Sequence, residues 1–198
     1  MPDHGFNFRR TSAFVTDGAD DTFVIRAIGY NEQYPITRDG VTFGWTTQID
    51  TSRDRDATVD VRLAGVHFSY SSVRRDFRVD LAGLNGAGEY IITAGFGDSY
   101  QAVTTYSQML DNTTVFNTTN ETLAGSDRIA DHTGVHHTNA NWPANNNTVT
   151  RTFSSSTFFC RLTNSALTAS GSVAHISFNW ATGGGTNNAI MRRRMGHY

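Results

Sequence analysis

A chain of 198 residues is long enough for one large domain or two small ones, and a single core is the simpler reading. Its 16 basic and 18 acidic residues leave a net charge of −2; every basic residue is arginine, and only three of the acids are glutamate. A chain without lysine, poor in glutamate and rich in Thr, Val, Phe, Asn and Gly predicts a mostly β protein and argues against a helical bundle.

Near-neutral charge gives no global attraction to nucleic acid or to an anionic membrane. No apolar run approaches the ~20 residues that cross a bilayer, so neither a nucleic-acid partner nor membrane insertion is expected. The N-terminal MPDHGFNFRR lacks the basic-then-apolar order of a leader, which predicts no ordinary secretion. One cysteine, Cys160, excludes an internal disulfide framework and a Cys-based zinc cluster.

In chain order, residues 1–13 read as an N-terminal arm, and 21–27 (DTFVIRA) as the first strand. A decorated loop over 28–40 carries Pro35 and an Asp39-Gly40 turn before a strand at 41–49. The polar stretch 50–62 reads as a surface loop leading into LAGVHFSY. In RDFRVDL at 75–81, Phe77, Val79 and Leu81 share one face while Asp76, Arg78 and Asp80 share the other, the two-residue period of a half-buried strand. GLNGAG then turns the chain into EYIITAGF at 89–96, a predicted antiparallel hairpin.

Further strands are predicted at 102–110, 113–118, 148–153, 156–163 and 172–180. About ten short strands with regular turns point to an antiparallel β-sandwich or jelly roll over 14–182. Residues 120–147, rich in Asn, His and Thr, read as a long loop, and 183–198 as a Gly-rich arm ending in three arginines.

Several residues carry candidate chemistry. Gly97-Asp98-Ser99 follows an apolar strand as the nucleophile of a GDS-type esterase would, but no Asp-x-x-His follows, and an Asp-Ser turn explains it more simply. Asp131, His132, His136 and His137 are the densest set of metal-capable side chains; the spacing of His132 and His136 suits a helix, whereas the Gly/Thr/Asn context predicts a solvated loop. Asp17, Asp20 and Asp21 offer oxygen ligands for a structural calcium, with a capped turn as the plainer account, and no other cofactor is expected. Cys160, His67 and His175 lie in apolar strand patterns and read as core residues.

Sugar binding by a sandwich needs an aromatic platform and polar groups around it. Tyr34, Trp45, Tyr70, Tyr100, Tyr106 and Trp142 are available; Tyr100 and Trp142 fall on predicted loops and are the carbohydrate-binding candidates. In the C-terminal arm, Ile190, Met191, Arg192, Arg193, Arg194, Met195 and Tyr198 combine apolar anchors with planar guanidinium groups, a composition suited to docking on another subunit.

The series TSAFVTDGADDTFV, YPITRDGVTFGW, SRDRDATVDVRLAGVHF, RDFRVDL, GEYIITAGFGD and NNNTVTRTFSSSTFFCRL, over roughly residues 6–180, resembles a galactose-binding-like β-sandwich of tailed-bacteriophage virion proteins. Similar sandwiches precede the catalytic domain of some polysaccharide-acting esterases. The resemblance implies a jelly-roll module that binds or assembles without catalysis of its own. It implies a virion accessory protein, assembled in the host cytoplasm and homo-oligomeric, attached to the major capsid protein or another virion protein as capsid decoration or as an outward head or tail component, and touching host surface polysaccharide. A carbohydrate-binding module is the alternative function, and a GDS-type esterase the minor one.

Overall fold

β-branched and aromatic residues recur at every second position along much of this chain, and the chain answers with strands. The computed structural model describes residues 3–10, 16–20, 23–55, 61–70, 74–124, 129–138, 142, 148–162 and 171–181. In chain order the strands are β1 (Asp3–Arg9), β2 (Thr16–Asp20), β3 (Phe23–Gly29), β4 (Ile36–Arg38), β5 (Val41–Trp45) and β6 (Thr51–Asp54). They continue as β7 (Gly65–Ser69), β8 (Arg75–Asp80), β9 (Glu89–Gly97), β10 (Val103–Asp111), β11 (Thr114–Leu123) and β12 (Ile129–Asp131). The last are β13 (His136–His137), β14 (Val149–Thr152), β15 (Thr157–Leu162), β16 (Gly171–Val173) and β17 (His175–Trp180). Among the described residues the helical pieces are short 3-10 turns at Val61–Leu63 and Leu81–Gly83.

The strands form an eight-stranded sheet in the order β13-β12-β9-β17-β1-β3-β2, with β14 also on β9, and a six-stranded sheet in the order β11-β10-β15-β8-β5-β4. A three-stranded sheet, β16-β7-β6, completes the architecture. The all-β sandwich expected from the sequence is therefore what the chain forms. Among the described strand pairs, β1 and β3 alone run parallel.

Period-two patterning decides which side chains enter the core. On β8 and β15, Phe77, Val79, Phe158, Cys160 and Leu162 are buried, while Arg78, Asp80, Thr157, Phe159 and Arg161 stand half-buried on the other face. Phe6 and Phe8 from β1 meet this inner face: Phe6 lies 5.3 Å from Phe43 and 5.6 Å from Phe77, and Phe8 lies 4.9 Å from Phe77. Phe158 and Phe178 make a similar edge-to-face contact across the sandwich at 4.9 Å. Truncating one such buried ring to alanine costs roughly 3–5 kcal/mol.

Four expectations change here. The hairpin expected from β8 into β9 does not form, because β8 pairs with β5 and β15 in the six-stranded sheet while β9 belongs to the eight-stranded one. Residues 3–9 of the anticipated N-terminal arm are an inner strand, held between β17 and β3, because Phe6 and Phe8 are core residues. The stretch 50–62 is not a plain loop, since β6 pairs with β7. Within 120–147, β11 runs on to Leu123, and β12 with β13 forms a hairpin on β9.

His67 links the three-stranded sheet to the main core. Trp45 Nε1 donates to His67 Nδ1 at 3.0 Å, and the opposite ring nitrogen donates to the Arg9 carbonyl at 2.7 Å. Accepting at Nδ1 requires a neutral ring, and burial lowers its pKa to about 4. His175 is likewise buried and pushed well below its ordinary value by burial, with the Arg62 charge adding to it. An unfolded chain protonates these imidazoles below about pH 6.5, so the unfolded state binds more protons as the pH falls from 6.5 towards 4. Urea denaturation should show a stability plateau above pH 7 and a loss of about 2 kcal/mol from His67 alone by pH 5. Unchanged stability between pH 7.5 and 5 would contradict this.

Candidate functional site

The outer face of the six-stranded sheet carries a dense network of paired polar side chains, with Asp76 buried and Arg78, Asp80 and Arg161 half-buried. Alternation along β8 sends Asp76, Arg78 and Asp80 outward, and the register sets Asp76 opposite Arg161 and Arg78 opposite Phe159 of β15. Arg161 grips Asp76 with two nitrogens, Nε to Oδ1 at 2.9 Å and Nη2 to Oδ2 at 3.3 Å, and Arg74 Nε reaches the same Oδ2 at 2.7 Å. Arg78 Nε donates to Asp80 Oδ1 at 2.7 Å, and the Tyr34 hydroxyl donates to Asp80 Oδ2 at 2.8 Å. The Arg78 guanidinium lies 4.4 Å from the Tyr34 ring centre and 6.0 Å from that of Phe159.

Tyr34 reaches this face because Gly44 has no side chain. A Cβ at Gly44 would stand 2.5 Å from the Tyr34 nitrogen, so the Gln33–Tyr34 backbone rests directly on β5. The segment is fastened there by Tyr34 N–H donating to the Trp45 carbonyl at 2.9 Å and Trp45 N–H donating to the Glu32 carbonyl at 3.2 Å. Burial, and the hydrogen bond to Asp80, push the Tyr34 phenol above its ordinary pKa, so it stays a donor at neutral pH.

Beyond Arg161 the same face continues with Gln108 opposite it on β10, then Tyr106 and Thr104, and with Thr118, Asn120 and Thr122 on β11. Gln108 Nε2 donates to Thr118 Oγ1 at 3.5 Å, and the Thr104 and Thr122 hydroxyls are 3.4 Å apart. Three strand spacings separate β8 from β11, a polar strip about 14 Å wide. The strip offers fixed carboxylate–guanidinium pairs, hydroxyls, amides and ring faces.

The two carbohydrate candidates from the sequence part company. Tyr100 is 62% exposed beside Arg55, whose guanidinium lies 5.5 Å from the ring and pairs with the buried Asp98. Trp142 is 2% exposed and is no platform: its indole lies against Gly95, 5.3 Å from the His137 ring, in a small core with Leu63, Ile129 and Ala174.

Ser99 is buried and its hydroxyl donates to the Leu63 carbonyl at 2.9 Å, a structural contact rather than the exposed position a nucleophile requires. The 131–137 cluster is neither helical nor a solvated loop. Asp131 Oδ1 accepts from Thr133 N–H, the Thr133 hydroxyl and Val135 N–H, while Oδ2 lies 2.8 Å from His137 Nε2, which together lock the β12–β13 turn. His136 pairs instead with Glu121 at 3.0 Å, so the histidines diverge. Among the described residues no three His, Cys, Asp or Glu side chains converge to hold a metal.

Cys160 is buried, which pushes its thiol up. Asp17 and Asp20 lie on edge strand β2. Asp21 falls outside the described residues, as do Ile190, Met191, Arg192, Arg193, Arg194, Met195 and Tyr198.

No protein-family model and no curated protein matches the chain. A solved structure shares its fold. The X-ray crystal structure of protein YxiM from Bacillus subtilis aligns with 90% of this chain at a TM-score of 0.50 and 11% identity. This chain spans 40% of the length of that one, and at such identity the likeness concerns the fold alone.

Sequence reasoning placed Asp76, Arg78 and Asp80 on one outward face but did not see a site there. The signal was the second alternation, TFFCRL, which aims Phe159 and Arg161 at the same face. Replacing Gly44 (φ +142°) with alanine should destabilise the fold by about 2–4 kcal/mol, because the added methyl meets backbone. Thermal or urea unfolding of Gly44→Ala reads this directly, and wild-type stability would contradict the close approach that delivers Tyr34.

Proposed function

We propose that this protein is a non-enzymatic β-sandwich recognition module, an outward-facing accessory component of a virion that contacts carbohydrate on the host surface. The observation that carries the recognition reading is Arg78, held over Tyr34, flanked by Phe159 and fixed by Asp80 on an open sheet face. Paired carboxylates and guanidinium groups present acceptors and donors side by side in a fixed plane, which suits vicinal sugar hydroxyls. Half-exposed ring faces supply the apolar contact for the C–H face of a pyranose. The polar residues line up across four neighbouring strands, so an extended polysaccharide fits them better than a small molecule enclosed in a pocket.

The virion setting is supported by the order of sequence motifs that resembles galactose-binding-like phage proteins. Catalysis through Ser99 is disfavoured by its burial and its bond to Leu63. Tyr100 beside Arg55 is a secondary contact for a chain that runs past the loop end of the sandwich.

An array of bacterial surface polysaccharides tests the reading with wild type, Arg78→Ala, Phe159→Ala and Tyr100→Ala, each first checked for an unchanged melting profile. Arg78→Ala and Phe159→Ala should each weaken binding about tenfold or more, equivalent to roughly 1.4 kcal/mol, and Tyr100→Ala by less. Binding to no glycan, or wild-type affinity in both sheet-face variants, would overturn it.

A further inference from the structure

Charge is balanced unevenly along β8. Towards its C-terminal end Arg78 and Asp80 pair one to one, with side chains 32% and 25% exposed, so both signs reach the surface there. Towards its N-terminal end a single carboxylate, Asp76, is shared by Arg74 at 2.7 Å and Arg161 at 2.9 Å. The Asp76 side chain is 4% exposed, that of Arg161 15% and that of Arg74 62%. The carboxylate is therefore buried beneath its partners, and a guanidinium is what this end of the strand presents to solvent. Arg74 holds Asp76 through Nε, and its two terminal nitrogens have no hydrogen-bond partner among the described residues.

We propose that this face selects an acidic polysaccharide, with Arg74 and Arg161 receiving the carboxylate of a uronic acid unit while Arg78, Tyr34 and Phe159 take the sugar ring. The inference rests on the carbohydrate reading of the same face and adds the charge of the ligand. Three guanidinium groups stand here against two carboxylates, and the charge left over lies where exposure is greatest. A planar guanidinium with its terminal nitrogens open matches a carboxylate through two parallel hydrogen bonds, whereas a neutral hydroxyl makes one weaker bond.

The spacing fits the same ligand. Phe159 and Arg161 are two residues apart on β15, about 7 Å along the strand, and Arg161 lies opposite Asp76. A pyranose lying on the Phe159 ring carries its carboxylate at the ring edge, which leaves about one hydrogen bond's length to the guanidinium groups. A phosphodiester sits on rotatable links between sugars and is not tied to the stacked ring in this way. Gln108, opposite Arg161 on β10, adds a neutral amide on the far side of that position.

Titration calorimetry tests the charge requirement, using the full chain with acidic polysaccharides of bacterial surfaces and with the same polymers after carboxyl reduction, which converts each uronic acid to the neutral hexose. The acidic form should bind about tenfold more tightly or better at low salt. Arg74→Gln should remove most of that preference while leaving the affinity for the reduced polymer and the melting profile unchanged. Arg53→Gln, at an exposed arginine of the three-stranded sheet, should change neither affinity and so separates a defined contact from general attraction to a polyanion. Equal affinity for the two forms, a preference that survives Arg74→Gln, an equal loss in Arg53→Gln, or tighter binding of a teichoic-type phosphodiester polymer would each overturn the inference and leave the carbohydrate reading standing. Binding of none of these polymers would overturn both.

Discussion

The insertion of β1 between β17 and β3 is the contact on which the rest depends. It carries Phe6 and Phe8 into the space between the two large sheets, where their rings pack edge-to-face against Phe43 and Phe77. Each buried phenylalanine contributes roughly 2–3 kcal/mol, and each favourable ring pair about 1 kcal/mol more. Phe77 is the inward partner of Asp76 and Arg78, so the ring that β1 clamps from inside fixes the strand that presents the polar face outside. Core and candidate site are two sides of the same six residues.

Arginine suits this arrangement in a way lysine would not. Arg161 binds Asp76 through two nitrogens, Arg78 stacks its plane on Tyr34, and Arg151 lies 5.1 Å from the Phe116 ring. Arg26 is wholly buried, with His4 Nδ1 at 2.9 Å and the carbonyl of Arg38 at 3.2 Å; burial lowers its pKa only to about 10, so it remains a cation at neutral pH. A compact ammonium supplies neither the bidentate geometry nor the stacking surface. The lysine-free composition therefore describes how charge is held on and inside this sandwich, beyond weighing against helices.

Strand content was legible where alternation was strong. RDFRVDL and TFFCRL announced β8 and β15, whereas the glycines after β8 suggested a hairpin that does not form: the chain there crosses from one sheet to the other, and β9 pairs with β17, β12 and β14. The role of residues 3–9 was hidden because β1 pairs with β17 some 170 residues away and with β3 in parallel, and neither partner leaves a local signal. Tyr34 could be seen as an aromatic but not as a neighbour of Arg78, since that depends on backbone resting on Gly44. Trp142 misled for the converse reason. A Trp-Pro in a polar stretch reads as exposed, yet the bare backbone of Gly95 makes a slot for its indole. The Asp131–His137 pair looked like metal chemistry in sequence and proves to be a turn lock, with both side chains buried.

The proposed recognition takes place on the outer face of the six-stranded sheet and not at the loop end. Titrating the isotopically labelled chain with the oligosaccharide it binds best, and following its amide and side-chain resonances by NMR, tests this most directly. The largest shifts are expected at Arg78 Nε, the Gln108 side-chain amide and the backbone around Phe159. Shifts confined to the residues around Tyr100, or to the β12–β13 hairpin, would contradict it.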